Sequence, residues 1–153
     1  MTDYRLAAHI IGGFEGYIPS AEWDVNSWRL GYGSDTEGPE QRRVSKGMST
    51  TRERALDNLA LRIPAFEKTI VGAIGGAAWA RLSEPAKAAL ASFAYNYGAL
   101  TPTLARLVAG RDDRAAAREI HARGVDNHGV NAHRRDAEAR LFAGGQGVPL
   151  AIN

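Results

Sequence analysis

The feature that most constrains this chain is a double change of texture. From Leu6 onward, Leu6, Ala7, Ile10, Ile11 and Phe14 recur at helical spacing. From Tyr17 to about Met48 that period is lost. Glycine, proline, serine and aromatic residues there alternate with short apolar pieces around Trp23, Val25, Trp28, Leu30 and Tyr32. From Ala55 a helical period returns through Leu56, Leu59, Ile63, Phe66 and Ile70. Short strands bounded by turn residues and enclosed by helices predict an α+β fold, mostly α. The expected layout is a small β lobe over about 17–48, a helical lobe over 1–16 and 49–143, a cleft between them, and a loose tail over 144–153. All 153 residues fit a single domain.

Local signals place the helices. Thr2 or Asp3 caps the first. Thr50 and Glu53 form a capping-box pattern ahead of a long amphipathic helix, with a kink expected at Pro64 and a break at Gly72 to Gly76. Ser83-Glu84-Pro85 opens a helix whose buried face carries Ala89, Leu90, Phe93, Ala94 and Tyr97, with Gly98 as its cap. Thr101-Pro102 opens a short helix through Leu107, and Asp112 or Asp113 another that ends at Gly124. The last starts near Asn131, runs through Phe142 and stops at Gly144-Gly145. Ser34 to Gly47 reads as an exposed polar loop or hairpin.

Composition narrows the chemistry. The chain has no cysteine, which excludes disulfides, thiolate metal sites and a cysteine nucleophile. The four histidines are scattered, and His128 and His133 have no third ligand nearby, so no metal and no cofactor are expected. No Gly-x-Ser-x-Gly elbow occurs. The net charge of +2 gives no ground for nucleic-acid binding. No apolar run reaches the roughly 18 residues of a membrane span, so stable insertion is not expected. No signal peptide is visible in Met1 to Arg5, which leads to the expectation of synthesis in the cytoplasm.

Two carboxylates are the candidates for acid–base work. Glu15 ends the first apolar helix between Phe14 and Tyr17, where a general acid would be set. A glutamate at a helix end is also an ordinary surface residue. Asp24 follows nine residues later in Trp23-Asp24-Val25-Asn26, on the first strand of the β lobe, with Glu22 and Asp35 as competing acids. Inverting glycosidases use such a pair, one to protonate the leaving oxygen and one to activate water. Tyr17, Trp23, Trp28 and Tyr32 would either line a sugar-binding wall or fill the core of the β lobe. His133-Arg134-Arg135 either meets an acidic polymer or pairs with Glu15.

Taken in order, these pieces resemble the phage-type lysozymes and endolysins, the muramidases of glycoside hydrolase family 24. The resemblance runs from about Leu6 to Phe142. It is carried by Phe14-Glu15-Gly16-Tyr17, by Asp24, by Gly31-Tyr32-Gly33, by Val44 to Leu59, by Ala89 to Gly98, and by Gly129-Val130 with Arg134-Arg135-Asp136-Ala137-Glu138. It implies a lysozyme-like fold and cleavage of the β-1,4 bond between N-acetylmuramic acid and N-acetylglucosamine, with inversion. Glu15 would be the general acid and Asp24 would position water. Asn96 matches a polar position facing the cleft, with Ser92 a weaker candidate, and Arg134 or Arg135 matches an arginine facing the catalytic glutamate. Tyr32 would support the site. The family's threonine, which helps to hold the water, is replaced here by Arg29, which would orient Asp24 or bind a substrate carboxylate.

The resemblance also implies peptidoglycan strands as partner and a monomer that reaches the periplasmic wall through a holin pore or within a phage particle. Arg29 motivates two alternatives: closure of an anhydro ring, as in a lytic transglycosylase, or a degenerate domain that binds peptidoglycan or a partner without cleaving it. A nucleic-acid-binding helical domain would rest only on the arginines near the C-terminus.

Overall fold

The computed structural model describes residues 2–150. Seven α-helices and two small β-ladders follow one another among these residues. Helix α1 (Tyr4–Phe14) leads into β1 (Ile18–Asp24), β2 (Ser27–Gly31), β3 (Thr36–Glu37) and β4 (Arg42–Arg43). Then come α2 (Arg52–Ile74), α3 (Gly76–Ala80), α4 (Glu84–Tyr97), α5 (Pro102–Ala109), α6 (Asp113–Ala122), two 3-10 turns, and α7 (Ala132–Gln146). The fold is α+β and mostly α, with the small β lobe where the texture change put it.

Helix α4 is the hub. Its residues Ala86 to Ala94 are buried without interruption. Five of those nine are alanines, whose small side chains let neighbouring helices approach from every side. One face packs with α2, α3, α5, α6 and α7 around Leu90, Phe93, Leu104, Ile120 and Phe142. The other, through Ala88 and Ala91, meets α1 and the start of α2 at Ile11, Leu59, Ile63 and Tyr32. Helix α1 thus belongs to the helical lobe although the β lobe follows it in sequence. The glycines near its end do not stop it: a β-carbon at Gly12 would stand 3.3 Å from the Tyr32 ring, so the missing side chain is what admits that ring.

Strands β1 and β2 form an antiparallel hairpin that pairs Glu22 with Arg29, Trp23 with Trp28, and Asp24 with Ser27. A bulge between Ile18 and Glu22 frees the backbone of Pro19 to Ala21 for other partners. The Ala21 N–H donates to the Met48 carbonyl (2.8 Å) and the Thr50 N–H to the Pro19 carbonyl (3.0 Å). These bonds sew the hairpin to the segment that enters α2. They also correct the expected cap. Thr50 is held in the β lobe, and Thr51 caps α2, its Oγ1 accepting from the Arg54 N–H at 3.2 Å. At Gly31 two demands coincide, a φ of 64° and an approach in which a β-carbon would lie 2.9 Å from that of Ala55.

Two further expectations are corrected. The break placed at Gly72 to Gly76 narrows to Gly75, with φ 92°, and α2 runs through Pro64 to Ile74. Helix α7 does not end at Gly144-Gly145, and the tail expected over 144–153 is in part structured. A β-carbon on Gly145 would sit 2.4 Å from Ser83 Oγ, so this glycine serves close helix packing rather than termination. Gln146 then locks the last turn, accepting from the Ser83 N–H (2.8 Å) and donating to Asp113 Oδ2 (3.1 Å). Val148 and Leu150 pack on the main core, and residues 151–153 lie outside the described residues.

The same anchor makes stability depend on pH. Burial pushes the Asp113 carboxyl up, but hydrogen bonds from Arg81 and Gln146 and the Arg81 charge outweigh it and hold the group below the usual aspartate range. A folded-state value below the unfolded one contributes stability in full above the ordinary carboxylate range. That contribution is lost as pH falls through this range towards the folded value. Urea midpoints are expected to drop between about pH 5 and about pH 3, and Asp113→Asn to flatten that limb while costing about 1–2 kcal/mol at neutral pH. An unchanged pH profile in Asp113→Asn would remove this pair from the acid response.

Candidate active site

Glu15 is the first residue past α1. Its N–H still closes the last helical turn on the Ile11 carbonyl (3.1 Å), while its backbone is already extended. Its side chain is 29% exposed and accepts from Arg134 Nη1 at 2.9 Å. All three nitrogens of Arg134 are used. Nη2 donates to the Ser92 carbonyl (3.1 Å) and Ser92 Oγ (3.2 Å), Nε points at Glu138 Oε2 (3.4 Å), and the guanidinium lies 4.9 Å from the Phe14 ring centre. Residue Glu138 is fully buried and serves two arginines. Its Oε2 also accepts from Ser92 Oγ at 2.5 Å, and its Oε1 accepts from Arg135 Nη1.

This network separates the two neighbouring arginines. Arg134 turns to Glu15. Arg135 is buried against the Phe93 and Tyr97 rings and donates to Asn96 Oδ1. Asn96 is itself exposed at the end of α4. Ser92, weighed as a substrate contact, is wholly buried and acts instead as a joint between Arg134 and Glu138.

Asp24 stands at the tip of the hairpin, with 63% of its side chain exposed. The turn beyond it is tight: Val25 adopts φ 47°, an unusual conformation for a β-branched residue, and the Asn26 N–H folds back to the Asp24 carbonyl. Arg29 lies beside Asp24, its Nε 3.7 Å from Oδ2, while its Nη1 is 4.0 Å from Asp35 Oδ2 and donates to the Gly33 carbonyl at 3.3 Å. Asp35, expected only as a competing acid, therefore shares the same cation. Glu22 is exposed opposite Arg29.

The aromatic residues divide. Tyr32 is 8% exposed and packs against Tyr17 with ring centres 5.7 Å apart, so both support the floor where α1 meets the β lobe. Trp23 and Trp28 meet edge to face at 5.7 Å. Strand alternation puts this pair on the hairpin face opposite the one that carries Glu22, Asp24 and Arg29. The tryptophans are thus not the wall beside Asp24.

Sequence reasoning missed two residues. Tyr95 on α4 lies where the charges of Glu15, Arg134, Arg62 and Arg29 all act on its hydroxyl, and burial pushes that hydroxyl's pKa up. Arg62 on α2 donates from Nη1 to Ser34 Oγ at 2.9 Å and reaches Tyr95 Oη at 3.5 Å. Its place between Leu59 and Ile63 on an amphipathic helix gave no sign of this. Only the return of the chain through Gly33-Ser34 brings the β lobe to it. No cluster of three or more His, Asp or Glu suited to a metal ion occurs among the described residues.

Comparisons with known proteins place these features in a family. The phage lysozyme family model matches residues 12–138, which includes Glu15, Asp24, Arg29, Arg134 and Glu138. No curated protein matches the chain. Among solved structures, a mutant of P22 lysozyme is similar with a TM-score of 0.78 at 20% identity, over 93% of this chain and 98% of that one. The endolysin from Escherichia coli O157:H7 phage FAHEc1 is similar at 0.68 and 22%, over 90% of each chain. The muramidase domain of SpmX from Asticaccaulis excentricus is similar at 0.68 and 20%, over 93% of this chain and 98% of that one.

Proposed function

We propose that this chain, which belongs to the phage lysozyme family, is a peptidoglycan hydrolase that cleaves the β-1,4 bond between N-acetylmuramic acid and N-acetylglucosamine. The observation that carries this reading is the setting of Glu15. It is a partly exposed carboxyl at the junction of the two lobes, fixed by an arginine whose other donors are spent inside the helical lobe. In the proposed reaction Glu15 gives its proton to the glycosidic oxygen as the C1–O bond breaks. Asp24 orients a water whose oxygen bonds to C1 from the opposite face, and the water's proton passes to the carboxylate side. Arg29 holds Asp24 in place of the family's threonine. Tyr32 supports the floor from beneath, and Asn96 is a candidate substrate contact at the end of α4. The partner is the glycan strand, the protein works as a monomer, and it reaches the wall by a holin pore or as part of a phage particle.

A second reading is supported by the Arg29 substitution and by the likeness to the SpmX muramidase domain. In it the fold binds peptidoglycan or a partner without cleavage. Digestion of purified sacculi separates the two. Soluble muropeptides with reducing ends are expected. Anhydro-ended products would replace hydrolysis by transglycosylation. Saturable binding without products would favour the scaffold.

A further inference from the structure

The arginine that joins α2 to the β lobe keeps a free edge. Among the described residues Arg62 hydrogen-bonds only through Nη1, to Ser34 Oγ and Tyr95 Oη. Among the described residues its Nε and Nη2 donate to no protein atom, no carboxylate lies within 4 Å, and neither nitrogen is among the buried unpaired atoms. The Nε–Nη2 edge is the one that takes a carboxylate in a two-bond fork. Ser34, 2% exposed, and the Tyr95 ring, 5.8 Å from the guanidinium carbon, restrict the head group, which reduces the freedom to be lost on binding.

The surroundings place Arg62 next to the candidate site. Arg62 and Arg29 donate to successive residues of one turn, Ser34 and Gly33, and the Tyr95 hydroxyl that Arg62 reaches at 3.5 Å also feels the charges of Glu15, Arg134 and Arg29. Arg29 is shared between Asp24 and Asp35, and Arg134 between Glu15 and Glu138. Arg62 alone of the three meets no acid among the described residues. A buried or half-buried cation left so is suited to an anion that arrives from outside.

We propose that Arg62 is a specificity residue that binds a carboxylate of the cell-wall polymer beside the scissile bond. The inference rests on the wall-glycan reading above. Two sources carry that chemistry: the lactyl group of a muramic acid without its peptide, and the free carboxylates of the stem peptide.

The test measures binding in a Glu15→Gln background, so that it does not depend on cleavage. Native sacculi are compared with sacculi whose carboxylates have been amidated. Arg62→Gln is expected to weaken binding to native sacculi about tenfold and to leave binding to amidated sacculi unchanged, with Arg62→Lys intermediate. Stripping the peptide removes its carboxylates and frees a lactyl carboxylate on each muramic acid: an Arg62 effect on stripped sacculi shows that Arg62 accepts the lactyl group, and its loss there assigns the native contact to the stem peptide. Equal weakening on native and amidated sacculi would overturn the proposal. Should Arg62→Gln fail to fold, Arg62→Lys carries the same comparison. Absence of products from the parent protein would count against hydrolysis, whereas equal binding of native and amidated sacculi by the parent would count against Arg62.

Discussion

Glu15→Gln is expected to cut the rate of sacculus lysis by about 10²–10⁴-fold, the range typical of a lost general acid. Glutamine keeps the shape of the side chain and still offers an oxygen to Arg134 Nη1, now 2.9 Å from Glu15 Oε1. It cannot deliver the proton. Arg134 also keeps its bonds to Ser92 and its contact with Glu138, so no buried cation is stranded. The variant should therefore melt within a few degrees of the parent and still bind sacculi. Initial rates of turbidity loss beside thermal melts check both statements. Lysis at more than a tenth of the parent rate would remove Glu15 from the acid role.

Glu138→Ala is expected to have the largest effect on stability. It deletes the one acid that both Arg134 and Arg135 share, and both arginines are buried, at 5% and 1% exposure. Removing one side of a buried charge network costs about 3–5 kcal/mol, because the partners stay desolvated without compensation. Two arginines and Ser92 Oγ each lose an acceptor together, and Arg135 is left without an acid among the described residues. For a chain of this size the melting temperature should fall by roughly 10–15 °C. Activity should fall as well even where the variant is folded, since Arg134 loses one of the contacts that aim it at Glu15. A melting temperature within about 3 °C of the parent would show that the network is not an essential part of the fold.

Much of this layout was legible in the sequence because local chemistry and tertiary structure agree there. Asp3, Ser83, Thr101 and Asp112 each cap a helix as their residue types suggest, and Gly98, with φ 106°, ends α4. The residues Glu15 and Asp24 were visible because each stands at the end of a clear helical or strand pattern. What escaped depends on long-range contact. Thr50 and Thr51 are equally good caps by type, and only the bond from Thr50 to Pro19 chooses between them. Gly144-Gly145 reads as a helix end until Ser83 is brought against it. The order of Arg134 and Arg135 depends on which of them faces α1, and both stand on the one buried face of α7 beside Glu138, where their charges blur the apolar stripe of Ala139, Phe142 and Ala143. Arg62 looks like a solvated cation until the chain comes back through Ser34.

The most direct measurement is mass analysis of the products released from sacculi in water enriched in oxygen-18. Hydrolysis places a solvent oxygen on C1, so each new reducing-end muramic acid should carry the heavy isotope, and Glu15→Gln should release almost none. Unlabelled anhydro-muropeptides, or binding without any released glycan, would contradict hydrolysis driven by Glu15 and a water held at Asp24.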